Sequence, residues 1–275
     1  MPPARLTVGL KIGTALLSVY AALALSSLSS VYDAGLTIEV SSRLLAPSAA
    51  HWFGTDALGR DVLALVAVGT RTSLGVALAA VAAGLLCGVP LGLLAAARGG
   101  LADDALARAG DLVFAFPSLL LAVLLAAAAG PGAMTAVIAI GVFNVPVFAR
   151  LVRGNALSLM QRDFVMAARV AGRSTAAIAF DHLLPNVATL IVVQATIQLS
   201  LAIVAEAGLS YVGLGVQPPD PSWGRMLNEA QTLASSAPWL ALFPGLALAL
   251  AVFALNLVGG AMATHLDPRS RAGSP

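Results

Sequence analysis

Long runs of apolar residues, separated by short polar segments, form the dominant pattern of this chain. A helix needs about 20 mostly apolar residues to cross the hydrocarbon core of a bilayer. Six runs approach or exceed that length, at positions 6–28, 72–97, 112–129, 134–148, 186–205 and 239–263. The turn signal Gly130-Pro131-Gly132 separates the third run from the fourth. The pattern predicts an all-α integral membrane protein with about six transmembrane helices.

The composition excludes a soluble globular protein. Of the 275 residues, 59% are hydrophobic and 10% are charged, whereas a soluble domain carries about 25% charged residues. The one cysteine, Cys87, lies in an apolar run, so neither an intrachain disulfide nor a cysteine-based metal cluster can form. Arg5 and Lys11 precede the first apolar run as in a signal peptide, but no small-residue cleavage site follows. We therefore expect an uncleaved first span.

The distribution of basic residues predicts the orientation, because cytoplasmic loops carry an excess of Lys and Arg. With both termini in the cytoplasm, 11 of the 15 basic residues lie inside and four lie outside, at Arg43, Arg60, Arg71 and Arg225. We predict cytoplasmic N and C termini, with residues 1–69 as a first helix plus an external segment. Residues 70–264 would form the transmembrane domain and 265–275 a cytoplasmic tail. No polybasic patch indicates nucleic-acid binding.

Two local patterns predict how the spans pack and connect. Gly84, Gly88 and Gly92 stand four residues apart on one helix face, which lets another helix of the same bundle approach closely. Residues 98–111 carry several charged residues with apolar residues between them, which predicts a short amphipathic interfacial helix. Its charges are expected on a solvated face, at Asp103, Asp104, Arg108 and Asp111.

A polar, positively charged segment occupies residues 163–186 (DFVMAARVAGRSTAAIAFDHLLPN). Ser174 or Thr175 can cap a helical turn there, and a proline at 185 suits the first turn of the next span. The segment resembles the cytoplasmic EAA loop of ABC-importer permeases, which implies a short helix that docks on an ATPase subunit. Met166 stands where that family usually has Glu. On its own, the pattern also fits a solvated loop between two spans. The implied docking residues are Met166, Ala167, Ala168, Gly172, His182, Leu184 and Pro185.

The segment HWFGTDALGRDV at 51–62 reads as turns leading into a helix, and hence as a small folded cap on the outer face. It resembles the FGTDxxGRD signature of the C-type permease subunits of the dipeptide, oligopeptide and nickel importer family. We expect Arg60 to form a structural ion pair with Asp56 or Asp61 rather than to contact substrate. The residues that carry this motif are Gly54, Thr55, Asp56, Gly59, Arg60 and Asp61.

A last outer segment covers residues 206–227 (EAGLSYVGLGVQPPDPSWGRML), where three prolines and four glycines exclude a continuous helix. It resembles the SFLGLGxxPPxPSWGxML segment of the same family, with Tyr211 in place of the usual Phe. Glu206 fits two roles, a functional carboxylate at the edge of a span or a structural one that holds the loop. The residues implied in an outer gate or loop are Glu206, Ser210, Gly213, Gly215, Pro218, Trp223 and Gly224.

Several chemistries find no support in the sequence. The single lysine, Lys11, follows Leu10, so the Gly-Lys pair of a phosphate-binding loop cannot occur. The three histidines show no metal-ligand spacing, and no Gly-x-Ser-x-Gly elbow surrounds Ser210. We expect no catalytic residue, no metal and no cofactor in this chain. ATP and Mg²⁺ would be bound by separate ATPase subunits.

Together the three resemblances imply one permease subunit of a bacterial ABC importer, with the type-1 transmembrane fold, in the inner membrane. They imply a second permease, two ATPase subunits and an external solute-binding protein as partners. The implied substrates are short peptides, with nickel or another small solute as the alternative. An ion-coupled secondary transporter would need paired carboxylates or a relay of basic residues at mid-membrane, and only Glu206 comes near this. A membrane-embedded enzyme would need clustered nucleophiles or metal ligands, which the sequence lacks.

Overall fold

The structure, a computed structural model, describes residues 3–28 and 32–266. The predicted tail therefore lies outside the described residues, except for positions 265 and 266. The described chain is helical, and its one β-type pairing is an isolated antiparallel bridge between Thr55 and Asp61. The helices are α1 (Pro3–Ser26), α2 (Asp33–Leu36), α3 (Val62–Arg98), α4 (Gly100–Ala115), α5 (Ser118–Ala129), α6 (Ala133–Leu159), α7 (Asp163–Val170), α8 (Thr175–Ala177), α9 (Leu184–Tyr211), α10 (Trp223–Ala230) and α11 (Trp239–Leu266).

Five described helices are long and apolar enough to cross a membrane, and a bent pair adds a sixth candidate span. The third predicted run, 112–129, covers the end of α4 and all of α5, and these two helices meet at an angle of 88°. Phe116 has extended backbone angles (φ −97°, ψ 133°) and precedes Pro117. A proline disfavours helical angles in the residue before it, so the apolar run breaks although its composition would allow one span.

Helix α3 begins ten residues before the predicted span, because Asp61 caps its first turn. The Asp61 carboxylate accepts hydrogen bonds from the backbone N–H groups of Leu63 (2.8 Å) and Ala64 (3.2 Å). Arg71, expected in an external loop, therefore lies within the helix and donates to the Ser27 carbonyl at 3.1 Å. With 37 residues, α3 is about 55 Å long, well beyond the roughly 30 Å hydrocarbon core. The predicted boundary at 69/70 lies inside this helix.

Helix α9 is also longer than predicted, and it continues α8 through a π-helical turn at Ile178–Leu183. Pro185 occupies its first turn as expected. Its C-terminal end extends to Tyr211. Glu206 consequently lies inside a helix and not in the loop that follows it.

The tightest helix contact joins α3 and α6. A Cβ atom on Gly84 would lie 2.3 Å from the Asn144 Cβ atom. On Gly88 and Gly92 it would lie 2.4 Å from a carbonyl oxygen of α6. The three glycines let the two backbones approach within one bundle, as their spacing predicts.

The bundle presents two distinct ends. The N-terminal end of α3 and the C-terminal end of α9 meet the cap at 51–62 and helix α10, and Trp239 at the start of α11 donates a hydrogen bond to the cap. The opposite end holds α7 and the last residue of α3, Arg98. Helix α1 runs antiparallel to α11, since Gly9 approaches Leu257 and the Tyr20 hydroxyl donates to the Ala247 carbonyl at 2.7 Å. The described ends of the chain thus lie at the α7 end.

Candidate functional site

The segment predicted to dock on a partner contains the short helix α7. Val165 and Ala168 are buried, whereas Phe164, Met166 and Val170 are exposed, Val170 to 90%. Ala167 and Ala171 are exposed as well, although they carry only small side chains. Helix α7 therefore presents an apolar surface while its buried side anchors it to the protein.

A glycine-dependent turn ends α7. Gly172 has a φ of 76°, and the N–H of Arg173 donates to the Ala168 carbonyl at 3.1 Å. This backbone conformation strains any residue with a Cβ atom, although such an atom would meet nothing within 4 Å. Ser174, one of the two predicted caps, then accepts a hydrogen bond from the N–H of Ala177 at 3.2 Å.

The remaining predicted docking residues lie on the π-helical turn and the start of α9. The His182 ring is half-buried and its centroid lies 6.3 Å from that of Phe164, so it links the turn to α7. Leu184 packs against the core, whereas Pro185 is exposed on the first turn of α9. The structure thus brings His182 to α7 and leaves Pro185 facing outward.

Three arginines surround an open, polar pocket of about 350 Å³ beside α7. They are Arg98, Arg169 and Arg173, and none of the residues lining the pocket is acidic. Arg173 pairs with the exposed Asp181 at 2.8 Å. The surface around the exposed apolar residues of α7 is therefore positively charged.

Two of the charges that were expected on a solvated face of α4 instead tie this helix to α6. Asp103 forms a bidentate ion pair with Arg153. Asp111 pairs with Arg150 at 2.7 Å, and the Arg150 guanidinium lies 4.7 Å above the Phe114 ring. The expectation of a solvated face was wrong for Asp103, which Arg153 of α6 shields from solvent, whereas Asp111 stays 74% exposed in its pair with Arg150.

At the other end, the cap is organised around Asp56. Its Oδ1 atom accepts from the backbone N–H groups of Leu58 and Arg60, both at 2.8 Å. Its Oδ2 atom pairs with the Arg60 guanidinium at 2.6 Å. Of the two predicted partners, Asp56 therefore pairs with Arg60. Asp61 caps α3, and its Oδ2 atom lies 2.9 Å from His51 Nδ1.

Close backbone contacts fix the cap's shape. A Cβ atom on Gly59 would lie 1.8 Å from the Glu39 carbonyl oxygen, and one on Gly54 would lie 2.6 Å from that of Leu45. Both glycines also have positive φ angles, 81° and 74°. The buried Thr55 hydroxyl donates to the Ser42 carbonyl and accepts from the N–H of Leu45. These contacts explain the glycines and the threonine of the motif.

Two aromatic contacts join the cap to α11. The Trp239 indole donates to the Thr55 carbonyl at 3.2 Å. The rings of Phe53 and Phe243 stack with centroids 3.9 Å apart. The cap is thereby held on the bundle from the α11 side as well as by Asp61 on α3.

The loop after α9, residues 212–222, folds back onto the bundle together with α10. Gly213, with a φ of 82°, ends α9. The Trp223 side chain is fully buried, its indole donates to the Val66 carbonyl at 3.4 Å, and its ring packs edge-on against Tyr20 at 5.7 Å. A Cβ atom on Gly224 would lie 2.2 Å from the Ala207 carbonyl oxygen. Trp223 and Gly224 are therefore packing positions against α3 and α9.

Glu206 lies beneath this loop and is fully buried. Its Oε1 atom accepts a hydrogen bond of 2.6 Å from the Ser210 hydroxyl. No ion pair within the described residues involves Glu206. Glu206 is therefore a buried residue in the last turns of α9 and is not the first residue of the loop that follows.

A cavity of about 520 Å³ separates the cap from α10. Its walls are mainly apolar, and its lining includes Pro218 of the loop after α9 and Arg60 of the cap. Glu229 of α10 pairs with Arg225 at 2.7 Å and lies 3.7 Å from Arg60. The charged groups at this cavity are thus already paired with one another. No group of three or more metal-ligating side chains occurs in the part of the chain that the structure describes.

The family comparison identifies what kind of protein combines these features. The model of the binding-protein-dependent transport system inner membrane component matches residues 88–272, more than half of the chain. The chain belongs to this family. It is therefore a multi-pass permease of the inner membrane that works with other components of an ABC importer.

Curated relatives and a solved structure agree with this assignment. The permease is 44% identical to the dipeptide transport system permease protein DppC of Alkalihalophilus pseudofirmus, over 84% of this chain and 76% of that protein. It is also 44% identical to the glutathione transport system permease protein GsiD of Pectobacterium atrosepticum, over 82% and 75% respectively. A chain of the inward-facing MetNI methionine ABC transporter shares the fold, with a TM-score of 0.58 and 21% identity, covering 77% of the permease and 97% of that chain.

Several polar residues of the permease escaped the sequence reasoning. Asn144 and Gln198 interrupt apolar spans and form a buried pair, and their polarity alone was a usable signal. Ser222 follows Pro221 and begins α10, where serine is a favoured cap. Nothing in the sequence around Ser73 indicated a role, because its hydrogen-bond donor, the N–H of Trp223, lies 150 positions further along the chain.

Proposed function

We propose that this permease carries short peptides across the inner membrane as one of two transmembrane subunits of an ABC importer. The observation that carries the substrate class is its 44% identity, over more than 80% of its length, to permeases named for dipeptide and glutathione transport. Both solutes are short peptides. Nickel remains the alternative that the motifs allow, but no described cluster of ligands favours it.

Helix α7 is the proposed docking element for the ATPase subunit. Its exposed Phe164, Met166 and Val170 offer an apolar face that a groove can cover. The surrounding Arg169 and Arg173 favour a groove with an acidic rim, because opposite charges steer and orient such contacts. Burial of α7 in the ATPase would remove this apolar face from water.

The proposed orientation places α7 and both termini in the cytoplasm. The described ends of α1 and α11 lie at the α7 end of the bundle, and most basic residues of the chain are expected there. The cap and the outer loop then face the external solute-binding protein. ATP and Mg²⁺ belong to the two ATPase subunits in this proposal, and the second permease completes the translocation path.

The proposed mechanism uses α7 as a lever. When ATP binding closes the ATPase subunits, each docked helix moves with its groove. The buried contacts of Val165 and Ala168 transmit that movement to the bundle, since tightly packed interiors pass displacement on as rigid bodies. The substrate path is exposed alternately to the two sides of the membrane, and the permease itself catalyses no reaction.

An ion-coupled transporter is the competing class. It predicts paired carboxylates within the membrane. In α1, α3, α6, α9 and α11, Glu206 is the one acidic residue, and it hydrogen-bonds a serine rather than another carboxylate. This observation favours the ATP-driven importer.

Co-purification and uptake test the proposal. The tagged permease is isolated from its own membranes, and its partners are identified by mass. The complex is then reconstituted in liposomes with its binding protein, and uptake of a labelled dipeptide, glutathione and nickel is measured. We expect two ATPases, a second permease and ATP-dependent uptake of a peptide. Recovery of the permease without an ATPase under all detergent and salt conditions, with uptake driven by an ion gradient, would overturn it.

A further inference from the structure

The carboxyl group of Glu206 is buried without a basic partner among the described residues. Such a group is costly at membrane depth unless hydrogen bonds satisfy its oxygens. The Ser210 hydroxyl donates to Oε1 at 2.6 Å. The hydroxyls of Ser73, on α3, and Ser222, at the start of α10, lie beside the same carboxyl group. The second oxygen, Oε2, has no partner of good hydrogen-bond geometry within the described structure.

All three serines are buried, and each accepts a backbone N–H group from the outer loop or α10. Ser210 Oγ accepts from Val216 at 3.0 Å. Ser73 Oγ accepts from Trp223 at 3.1 Å, and the hydroxyl of Ser222 from Arg225 at 3.3 Å.

A serine hydroxyl has one proton to donate. With N–H groups supplied as donors to these three oxygens, each hydroxyl proton remains to be donated, and that of Ser210 goes to Glu206 Oε1. A carboxylate only accepts and has about four lone-pair positions, so it suits a ring of hydroxyl donors. Chains of hydrogen bonds of this kind strengthen one another at low dielectric.

The loop and α10 also pack closely against α9 on both sides of Glu206. A Cβ atom on Gly224 would lie 2.2 Å from the Ala207 carbonyl oxygen, directly after Glu206. A Cβ atom on Gly215 would lie 2.2 Å from the Ser210 hydroxyl. The loop therefore rests on α9 without intervening side chains on both sides of the Glu206 network.

We propose that Glu206 is a positioning residue that fixes the outer loop and α10 to α3 and α9. These elements then move as one rigid body during transport. The loop does not move independently of the rest of the permease. The outer side of the transporter opens instead where this rigid body meets the other elements and subunits. The functional consequence rests on the transport activity proposed above.

The chemistry of the network makes Glu206→Gln the decisive variant. The amide keeps one acceptor oxygen and adds an N–H₂ donor that faces hydroxyl protons. We expect the loop to lose its fixed position. Glu229→Gln is the matched control, because it makes the same change on α10 in a carboxylate that is 42% exposed and paired with arginines.

The position of the loop can be measured by spin labelling. Cys87 is the one cysteine, so Cys87→Ala provides a cysteine-free background. Labels at Asp220→Cys, in the exposed loop, and at Leu78→Cys, on the exposed face of α3, report the distance between the two elements. The measurement is made on the purified permease and on its complex with and without trapped ATP.

For the wild-type Glu206 and for the control Glu229→Gln, the proposal predicts one narrow distribution of the distance between the two labels. This distribution should stay the same in every nucleotide state. Glu206→Gln should broaden it, and Glu206→Asp, which restores the carboxylate, should narrow it again. A loop distance that shifts with nucleotide in the wild type, or a distribution unchanged by Glu206→Gln, would overturn the proposal.

If Glu206→Gln does not insert, Ser210→Ala provides the same test. It removes one donor to Glu206 and the acceptor of the Val216 N–H, and an unchanged distribution would again contradict the proposal. The distance between the labels can be measured on the isolated permease, without an ATPase or any transport. This inference can therefore fail independently of the proposed function, which is tested by co-purification of an ATPase and by peptide uptake.

Discussion

The side-chain amide of Gln198, on α9, donates a hydrogen bond of 2.7 Å to the Oδ1 atom of Asn144, on α6. Both side chains are buried, and the Asn144 amide also donates to the Ile140 carbonyl at 2.9 Å. The Cβ atom of Asn144 packs where Gly84 leaves room on α3. One polar pair therefore connects three spanning helices in the middle of the bundle.

Gln198→Leu is expected to destabilise the bundle by about 1 kcal/mol, the scale of hydrogen bonds between membrane helices. The substitution leaves Asn144 Oδ1 without its partner in an apolar environment. Unfolding of the purified permease in mixed micelles measures the change.

A double-mutant cycle with Asn144→Ala isolates the pair, because residues in direct contact are not additive. The double variant should lose less stability than the two single changes together. Strict additivity would show that the 2.7 Å contact contributes nothing to stability.

Gly172→Val should uncouple ATP hydrolysis from transport while leaving the permease folded. The position requires a φ of 76°, which is most unfavourable for a β-branched residue. We expect the end of α7 to shift and uptake to fall, with ATP hydrolysis by the complex continuing.

Two controls separate the backbone effect from added bulk. Gly172→Asn should retain more uptake than Gly172→Val, since asparagine tolerates positive φ angles. Gly154→Val adds the same side chain on α6, where a Cβ atom meets nothing within 4 Å. Wild-type uptake in Gly172→Val would contradict the docking role of this turn.

Continuous apolar helices were the most predictable part of the fold. The runs that became α1 and α11 match their helices within a few residues, although α11 contains Pro244. The break at Phe116 was missed because hydropathy counts composition and ignores the restriction that Pro117 imposes. The early start of α3 had a readable signal, an aspartate at 61 directly before an apolar run.

The positions of charged residues were predicted wrongly where distant parts of the chain supply their hydrogen-bond partners. Glu206 was taken to mark the edge of a span, since burial of a carboxylate is costly. The buried hydroxyl groups around its carboxyl group come from three elements, and Ser73 lies more than 130 positions away in the chain. Local patterns contain no information about such contacts, whereas the Asp56–Arg60 pair, four residues apart, was predictable.

Met166→Glu should be tolerated. Met166 is 53% exposed on α7, so the charge meets water in the free permease, and a glutamate there restores the residue usual in the EAA loop. Co-purification with the ATPase measures the effect, and Met166→Ala is the control for loss of the methionine side chain. Assembly lost in Met166→Glu but kept in Met166→Ala would show that the groove of this ATPase is apolar at that point.

Gly59→Ala should unfold the cap. The added Cβ atom would lie 1.8 Å from the Glu39 carbonyl oxygen, a distance that no small adjustment relieves, and the residue has a φ of 81°. Because Asp56 accepts from the N–H of Arg60, a shifted backbone at position 59 also disturbs the central ion pair of the cap. We expect proteolysis from the outer face to cleave residues 39–61 in this variant, together with a lower thermal midpoint.

Gly75→Ala is the matched control for the cap. It makes the same change on α3, where a Cβ atom meets nothing within 4 Å, and alanine favours a helix by about 1 kcal/mol over glycine. The control should therefore be at least as stable as the wild type and equally resistant to protease. Equal protease resistance of Gly59→Ala and Gly75→Ala would mean that the cap does not depend on the backbone contact between Gly59 and Glu39.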